Sequence, residues 1–391
     1  MQSVNKSPQP AILIFAPSST GGIAEYTIYQ ARALKRTGAG VLCLVAPSFL
    51  KGRNTGFDTL VCLPDPVVEG SSKLAKKLKM AWRIILSRFI LAFQILKQRP
   101  DLVLLDSFVE YLSPFWIWPH WWLAKGLGVR YAAVLHDPVR NFVVGPLWWH
   151  KLSVRLAYLP LDFVLVHHAL PESSPVPSGT RVVEVPHGLY EFGDQVQDVA
   201  AIRREWGVAE GQKVFLSFGY VRDGKNLDLA IRALVSVPHA FLVIAGSVAS
   251  GKDKSFSYYR RLAEELGVAG RCRFVEGFLQ QEELGRFFAG TDFVLLTYSA
   301  SFHSQSGVLN VAAFARKPVL ASAAPSPMIE TVTRYALGVA VPPDSQEAVV
   351  EGMQRLLAGE PTPRWEEYDK AASWDVNARA VLQAAGFPSQ T

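Results

Sequence analysis

The amino-acid sequence predicts an α/β protein with two doubly wound domains, each built on a parallel sheet. Short apolar runs alternate with segments of helical length, a second series of runs begins after residue 212, and turns rich in glycine or charge follow the first run of each series. The chain of 391 residues is long enough for two or three domains. Its 49% hydrophobic and 19% charged residues exclude an intrinsically disordered protein.

The first series of apolar runs occupies the N-terminal half of the chain. A helix over 23–36 follows the first run, and a long helix over 72–98 precedes the third. The runs predict buried strands over residues 11–17, 41–47, 102–106, 131–137 and 163–168.

The second series predicts strands over residues 214–219, 241–246, 273–277, 293–298 and 318–322. Between the two series, residues 170–193 are rich in Pro, Gly and Ser, and a polar helix is predicted around 197–206. We therefore place the domain boundary near 192–200, with domains over 1–195 and 196–370. Ligands of doubly wound sheets bind outside the carboxyl ends of the strands, so we expect the two domains to face a central cleft.

The turn after the first strand, Ser18–Gly22, is a candidate anion site. Gly21 and Gly22 would let the backbone approach a ligand, and the following helix N-terminus offers free amides. The turn matches neither GxGxxG nor a Walker A loop, which argues against a dehydrogenase and a P-loop kinase. Simple strand-to-helix geometry would also explain these glycines.

Arg222 and Lys225 stand at the corresponding place in the second series, between the strand ending at Gly219 and the next helix. A guanidinium and an ammonium three residues apart can clamp a diphosphate, although an exposed charged turn would look the same. Ser306, Gly307 and Val308 follow a later strand and begin an apolar helix, which presents hydroxyls and amides to an anion. Ser306 could equally be an ordinary helix cap.

His136 and Asp137 end the fourth strand, where residues that line a ligand crevice occur, although a structural histidine is equally compatible. His167 and His168 also end a strand, but no other motif points to them. None of these residues has a recognisable metal-ligand spacing, and no metal site is predicted. Cys43, Cys62 and Cys272 are too scattered for a disulfide framework and fit a reduced compartment.

Charge and aromatic residues are concentrated in the first half of the chain. Residues 1–195 carry 20 Lys and Arg against 13 Asp and Glu, which gives this half a net charge of +7. The whole chain has a net charge of +6, so the remaining residues are slightly acidic. Residues 73–99 hold eight of these cations and no acid among Leu, Ile, Phe and Trp82, and six of ten tryptophans fall within 116–149. The pattern favours an anionic membrane surface as partner, whereas an amphipathic scaffold helix is the simpler alternative. There is no signal-peptide pattern at the N-terminus and no run of about 18 apolar residues.

Together these motifs resemble the retaining glycosyltransferases of family 4, which have the GT-B fold. The resemblance covers nearly the whole chain and depends on five motifs in the family's order. They are GGIAEYTIYQARALKRTG, VLHD, FGYVRDGKNLDLAIRAL, FVEGFLQQEELGRFFAGTDFVLLTYS, and KPVLAS followed by ALGVAVPPDSQEAVVEGMQRLL.

The resemblance implies a role for each candidate residue. Gly21 and Gly22 would lie near the donor diphosphate, and His136 would contact the donor sugar. Arg222 and Lys225 would hold the phosphates and stabilise the leaving group. Ser306, Gly307 and Val308 would offer amides to the phosphates.

The chain departs from the family pattern at two positions. The family carries paired glutamates eight residues apart, and His303 and Val311 stand at those positions here. This departure leaves open a catalytically degenerate partner subunit with the same fold. A sugar phosphorylase and a nucleotide-sugar epimerase of related fold are further alternatives.

The resemblance implies a retaining hexosyltransferase that takes its sugar from a nucleotide-diphosphate sugar and needs no cofactor or metal. The N-terminal domain would meet the acceptor, and residues 371–391 would form a helix that packs back on it. A lipid-linked saccharide acceptor in bacterial surface polysaccharide or glycolipid synthesis would account for the basic helix and for the tryptophans at 116–122. The expected location is the inner face of the cytoplasmic membrane, with no nucleic-acid partner.

Overall fold

A computed structural model describes residues 9–51, 53, 55–66, 72–136, 143–170, 174–192, 198–277 and 281–388. The chain forms two compact units, one of residues 1–188 and 373–391 and one of residues 189–372. Asp137, a candidate from the sequence, lies outside the described residues. Both units contain a parallel sheet with helices, as the sequence predicts.

The first unit is built on a sheet of seven parallel strands in the order β3-β2-β1-β4-β5-β6-β7. The central strands are almost wholly apolar and buried, because helices cover both faces of such a sheet. The strands are β1 (Ala11–Ala16), β2 (Gly40–Val45), β3 (Asp58–Val61), β4 (Leu102–Leu105), β5 (Arg130–Val134), β6 (Phe163–Val166) and β7 (Arg181–Glu184).

Five helices belong to the first unit, counted over the part of the chain that the structure describes. They are α1 (Gly21–Arg36), α2 (Lys73–Gln98), α3 (Ser113–Gly126), α4 (Leu147–Ala157) and α13 (Trp374–Ala384). Helix α13 returns to the first unit and packs against α1, where Asn377 donates a hydrogen bond to the hydroxyl of Tyr26 at 3.0 Å. Helix α3 packs against both α2 and α4.

The second unit contains a six-stranded parallel sheet in the order β10-β9-β8-β11-β12-β13. Its core lies between this sheet and the helices on its faces, and Phe215 and Tyr259 are wholly buried there. The strands are β8 (Lys213–Phe218), β9 (Ala240–Gly246), β10 (Cys272–Glu276), β11 (Phe293–Thr297), β12 (Val319–Ser322) and β13 (Gly338–Val341). The helices are α5 (Val199–Trp206), α6 (Leu227–Ala233), α7 (Phe256–Glu265), α8 (Gln281–Gly290), α9 (Gly307–Phe314), α10 (Pro327–Arg334), α11 (Gln346–Leu357) and α12 (Trp365–Ala371).

Each sheet reverses its strand order at one point, between β1 and β4 in the first unit and between β8 and β11 in the second. The loops after these strands leave the carboxyl edge at the point where doubly wound sheets bind ligands. The fold therefore brings the predicted motifs of each unit to one edge of its sheet.

The three cysteines, Cys43, Cys62 and Cys272, are free thiols. Within the described residues, none of the helices is both long enough and apolar enough to span a bilayer.

Candidate functional site

The loop after β8 carries the Arg222 and Lys225 pair. Its first residue, Gly219, has φ +94°, a conformation that favours glycine, and it donates a backbone hydrogen bond to Ala245 at 3.0 Å. A Cβ atom on Gly246 would lie 1.8 Å from the backbone oxygen of Gly219, so β9 and this loop approach each other as closely as two backbones can. The path of the loop is therefore fixed before any ligand binds.

Lys225 points back towards the strand from which the loop departs. Its ammonium donates a hydrogen bond to the backbone oxygen of Phe218 at 2.6 Å. Burial, together with the nearby charge of Arg222, lowers the pKa of Lys225 to about 7. The Arg222 guanidinium is exposed and lies 5.7 Å from the ring centroid of Tyr220. An anion between the two cations would restore the charge of Lys225 and bind to both side chains.

The loop after β11 supplies the other half of the candidate site in the second unit. Tyr298 stacks on Phe302 with ring centroids 4.0 Å apart, and its hydroxyl is 3.1 Å from the Oγ of Ser306. Burial raises the pKa of Tyr298, so its hydroxyl stays neutral and can donate. Ser306 occupies the cap position of α9, but its side chain accepts no bond from the helix. Ser306 is therefore the N-cap residue by position, while its hydroxyl contacts Tyr298 and not the helix.

The two loops meet above Gly219. A Cβ atom at Gly219 would lie 3.6 Å from the ammonium of Lys225 and 3.9 Å from a methyl group of Val308. Gly307 and Val308 form the first turn of α9, whose backbone amides lack acceptors within the helix. The structure thus brings together the predicted Lys225, Gly307 and Val308, with exposed Arg222 on the same loop as Lys225.

Several residues that hold these loops escaped the sequence analysis. The hydroxyl of Thr297 donates to the backbone oxygen of Lys225 at 2.9 Å. Asp344 accepts from the side chain of Asn226 and from the backbone amide of Ala300, both at 2.8 Å. Thr297 could have been identified from the sequence, because it ends a strand beside the point where the strand order reverses. Asp344 is distant in sequence from both loops, and no sequence pattern marks it.

The two positions that depart from the family pattern have different environments. His303 is exposed on the loop before α9, and Val311 is only 6% exposed inside the second unit. Neither side chain can form a glycosyl ester, and Val311 cannot accept a hydrogen bond.

In the first unit, the loop after β1 leads into Gly21 and Gly22, the first two residues of α1. Gly21 has φ +76° and begins α1, and the space that a Cβ atom on Gly22 would occupy is open to 4 Å. The hydroxyl of Ser18 donates to that of Ser107 at 3.1 Å, which links this loop to the loop after β4. The backbone near Gly22 is therefore accessible at the carboxyl edge of the sheet.

His136 follows β5 at the same edge. Its Nε2 lies 3.0 Å from the backbone oxygen of Asp106. Because a carbonyl oxygen can only accept, Nε2 carries the proton and Nδ1 of the neutral ring is left as an acceptor. Burial and the nearby His167 lower the pKa of His136 to about 3, so the ring is neutral at physiological pH.

His136 belongs to an aromatic cluster that the sequence did not reveal. Its ring centroid lies 4.7 Å from that of Tyr26 and 5.7 Å from that of His167, and His167 lies 4.9 Å from His187. The expectation that no other motif converges on His167 is therefore wrong. These residues follow three different strands or lie on α1, and only the fold brings them together.

Asp106 lies beneath this cluster at the end of β4. It is wholly buried, and among the described residues neither carboxylate oxygen has a hydrogen-bond partner. Burial raises its pKa to about 7, against a weaker opposite effect of the Thr27 hydroxyl. Across the described ranges, no group of three or more His, Cys, Asp or Glu side chains is placed to hold a metal ion.

Comparison with known proteins identifies the family. Residues 198–380 match the family model "Glycosyl transferases group 1". This part, slightly less than half of the chain, resembles the group 1 glycosyltransferases. The sequence-based prediction of this family and of its GT-B fold is confirmed.

Two curated relatives match parts of this chain. A D-inositol 3-phosphate glycosyltransferase from Mycobacteroides abscessus is 28% identical over 195 residues, which is 48% of this chain and 42% of the relative. The lipopolysaccharide glucosyltransferase WaaG from Escherichia coli is 27% identical over 199 residues, half of each chain. The matches thus span about half the length of these curated relatives.

The fold similarity to solved structures extends over nearly the whole chain. A crystal structure of WaaG superposes with a TM-score of 0.61 at 16% identity and covers 97% of this chain and 100% of that one. The structure of HepE from Anabaena in complex with UDP-glucose has a TM-score of 0.64 at 16% identity, with 96% and 95% coverage. At this level of identity the similarity concerns the fold.

Proposed function

We propose that this protein is a retaining hexosyltransferase that transfers a sugar from a nucleotide-diphosphate sugar to a lipid-linked saccharide acceptor. The observation that carries the proposal is the meeting of Lys225, Val308 and Gly219 at the reversal of strand order in the second unit, with Arg222 on the same loop. Family membership and the UDP-glucose complex of the structurally similar HepE support a nucleotide-sugar donor.

The chemical demand of this reaction is the negative charge that grows on the leaving diphosphate. Arg222 offers a planar fork of donors, and Lys225 offers a partly buried ammonium whose attraction to an anion is strengthened by the low local dielectric. The amides of Gly307 and Val308 add the positive end of α9. The ammonium of Lys225 and the amides of α9 are held in place by the fold before the bond breaks, and such preorganised donors are the most effective form of charge stabilisation.

Retention requires that the acceptor enter on the face from which the diphosphate leaves, or that two inversions occur. His303 and Val311 replace the paired glutamates, so a carboxylate nucleophile at those positions is excluded. We propose same-face attack. The bond between the anomeric carbon and the phosphate oxygen breaks, the acceptor oxygen bonds to that carbon, and the acceptor's proton moves to the leaving phosphate oxygen.

The acceptor side of the proposal depends on the docking face, which we define as the exposed apolar side chains of α2, α3 and α4. More than half of the exposed large apolar side chains of the described residues lie on these three helices. The docking face comprises Leu74, Leu78, Met80, Trp82, Phe89, Phe93, Leu96, Phe115, Trp118, Trp121, Trp122, Leu147, Trp148 and Leu152. Trp116, which the sequence grouped with this surface, is instead 2% exposed in the core.

Charge selects the partner of the docking face. Helices α2, α3 and α4 carry ten Lys and Arg residues and no acid. On α2, Leu74, Leu78 and Trp82 recur every fourth residue and form one exposed stripe, with exposed Lys76, Lys77 and Lys79 between them. A stripe of aromatic and aliphatic side chains flanked by cations fits an anionic bilayer interface. We therefore propose peripheral attachment to the inner face of the cytoplasmic membrane, in surface polysaccharide or glycolipid synthesis.

The proposal includes no cofactor and no metal, because Arg222, Lys225 and the α9 amides supply the positive charge that the leaving group needs. It also includes no nucleic-acid partner. The first unit would hold the acceptor and the second unit the nucleotide sugar. His136 would contact the donor sugar, and Gly21 and Gly22 would lie near the diphosphate.

The test is a panel of nucleotide sugars incubated with the protein and with lipid extracts, in which nucleotide release and sugar incorporation are both measured. We expect sugar transfer from at least one donor, with release of the matching nucleoside diphosphate. Arg222→Ala and Lys225→Ala should each reduce turnover by orders of magnitude while leaving the melting temperature unchanged. Arg204→Ala, an exposed cation on α5, is the matched control and should retain full activity.

The outcomes separate the alternatives. Nucleotide binding without transfer would favour a degenerate partner subunit. Sugar phosphate formed from inorganic phosphate would indicate a phosphorylase, and an altered nucleotide sugar without acceptor would indicate an epimerase. Near-normal transfer by both the Arg222 and the Lys225 variants would refute the assignment of the diphosphate site.

A further inference from the structure

Arg83 connects the docking face to the loop after β1. It lies on α2 directly after exposed Trp82, but its own side chain is half-buried and turned inward. Its Nη2 donates to the backbone oxygen of Pro17 at 2.6 Å, and its Nε donates to the backbone oxygen of Pro64 at 3.1 Å. One guanidinium therefore joins α2 to the loop after β1 and to the segment after β3.

The loop after β1 is held at three consecutive residues. Arg83 binds the backbone of Pro17, the hydroxyl of Ser18 donates to Ser107, and Arg53 donates to the backbone oxygen of Ser19 at 2.7 Å. Gly21 and Gly22 follow immediately. Of the two guanidinium contacts, only that of Arg83 comes from a helix of the docking face.

Arg53 is anchored independently of α2. Its Nη1 also donates to the backbone oxygen of Phe49 at 2.9 Å, and its Nη2 pairs with Glu25 at 2.9 Å. Arg53 therefore holds the loop to the body of the first unit, whereas Arg83 holds it to α2. A small shift of α2 would pull on Pro17 and leave the contact at Ser19 in place.

The contacts continue from this loop to His136. Ser18 donates a hydrogen bond to Ser107. The residue before Ser107 is Asp106, whose backbone oxygen accepts a hydrogen bond from His136. Three hydrogen bonds, joined by the peptide links Pro17–Ser18 and Asp106–Ser107, thus connect α2 to the edge of the sheet that carries the predicted donor-sugar contact. Such a path can transmit a conformational change only if the loop that it reaches has two conformations. Hydrogen exchange of that loop can measure whether it has them.

We propose that Arg83 is a positioning residue that couples contact of α2 with an anionic bilayer to the conformation of residues 17–22. This inference rests on the proposed function for the role of the bilayer and of the loop. It predicts that lipid changes the conformation of the loop and thereby the rate of sugar transfer. Both effects should require Arg83.

The test measures hydrogen exchange of the backbone amides of residues 18–22 in the full-length protein, with and without vesicles of phosphatidylglycerol and phosphatidylcholine. In the wild type, vesicles should change the exchange of these amides. In Arg83→Gln the loop should exchange about tenfold faster without vesicles, because a charge-assisted bond is lost, and vesicles should no longer change it. Arg83→Lys, which can reach one carbonyl but not two, should restore part of the response.

Arg53→Gln is the matched control, because it loosens the same loop from an element outside the docking face. It should speed exchange without vesicles and keep the vesicle response. All variants should sediment with vesicles as the wild type does, since Lys76, Lys77 and Lys79 are intact.

Each outcome decides one part of the proposal. A vesicle response in Arg83→Gln equal to that of the wild type would overturn the coupling. Wild-type protein that does not bind vesicles would overturn both the coupling and the membrane part of the proposed function, whereas the donor panel would still test the transferase. Exchange is read without turnover, so failure of the coupling and failure of the proposed activity are distinguishable.

Discussion

The ring of His136 donates a hydrogen bond from Nε2 to the backbone oxygen of Asp106, 3.0 Å away. This contact leaves Nδ1 as the acceptor of the neutral ring, and a sugar hydroxyl can donate to it. It also joins the ends of β4 and β5 at the edge of the first sheet. The same residue thus has a structural contact through Nε2 and a second ring nitrogen that can accept, and variants can separate the two.

We predict that His136→Gln will keep the fold and lose most of the transfer activity. The glutamine amide can still donate towards Asp106, but it offers no ring nitrogen to a sugar hydroxyl. Transfer should fall at least tenfold, while the dissociation constant for the free nucleotide changes less than twofold, because the proposed nucleotide site lies in the second unit. Calorimetric titration with UDP and a transfer assay measure the two quantities. Equal activity of wild type and variant would assign His136 a structural role only.

Asp106 predicts an unusual dependence of stability on pH. In the folded protein its pKa is raised to about 7, whereas the ordinary value is 3.8. Between these values the unfolded chain has released a proton that the folded chain retains, so the contribution of Asp106 to stability falls as pH rises. Asp106→Asn should therefore stabilise the protein, and its advantage should grow by about 2 kcal/mol between about pH 5.5 and about pH 8.

Urea unfolding of wild type and Asp106→Asn at several pH values checks this prediction. His136, His167 and His187 titrate in both proteins and cancel in the comparison. Asp101→Asn is the control, since that carboxylate is exposed and accepts the backbone amide of Ala11 at 2.8 Å. Parallel stability curves for the wild type and the Asp106 variant would contradict the prediction.

Lys225 predicts that donor binding takes up a proton. Burial lowers its pKa to about 7, and a bound diphosphate would favour the charged form. Below about pH 7 the ammonium is already present and affinity should be constant. Above that pH each further unit should weaken binding up to tenfold, because a proton must bind with the donor.

Calorimetry with UDP-glucose in two buffers of different ionisation enthalpy measures the proton uptake directly. We expect nearly one proton per UDP-glucose at about pH 8 in the wild type. Lys225→Met should bind more weakly and with no uptake. Lys213→Met, which removes an exposed cation from the start of β8, should behave as the wild type. Uptake that persists in Lys225→Met would assign the proton to another group.

The docking face predicts binding to anionic vesicles that weakens with salt, because the Debye length falls from ~10 Å at 0.1 M to ~3 Å at 1 M. Reversal of Lys76, Lys77 and Lys79 to Glu should release the protein from phosphatidylglycerol vesicles. Activity on a soluble acceptor analogue should survive, since these side chains are exposed and distant in sequence from the donor motif. Sedimentation with vesicles gives the bound fraction.

The control for this prediction reverses three exposed cations of the second unit, Arg204, Lys252 and Lys370, and so changes the net charge by the same amount. It should bind vesicles almost as the wild type does. Wild-type protein that ignores anionic vesicles at low salt would refute the docking face.

Much of the fold could be predicted because its strands are continuous apolar runs. All ten strands expected from such runs are present, with ends that differ by at most three residues. The prediction missed β3, β7 and β13, each of four residues at or beside the edge of a sheet. Edge strands are covered on fewer sides, so Asp58–Val61 and Arg181–Glu184 keep charged and exposed residues and lack the apolar signature.

The residues of the candidate site could be predicted together only where they are close in sequence. Arg222 and Lys225 are three residues apart on one loop, so their cooperation is visible in the sequence. The cluster of Tyr26, His136 and His167 spans 141 residues, and only the parallel sheet makes its members neighbours.

The basic helix shows a second limit of sequence reasoning. A count of charge on α2 does not say where each cation points. Arg88 is buried between the rings of Phe15 and Trp116, at 4.7 and 4.5 Å from their centroids. Arg83 and Arg88 therefore contribute to packing and to loop contacts, and not to the docking face.

The return of α13 to the first unit has a consequence for synthesis on the ribosome. Trp374 packs 5.0 Å from Tyr26, and Gly188 has no room for a Cβ atom beside the same indole. When the ribosome has translated only residues 1–188, this face of α1 still lacks its cover. The nascent first unit must wait until the whole second unit and α13 have emerged from the exit tunnel, so its final packing follows synthesis of the second unit.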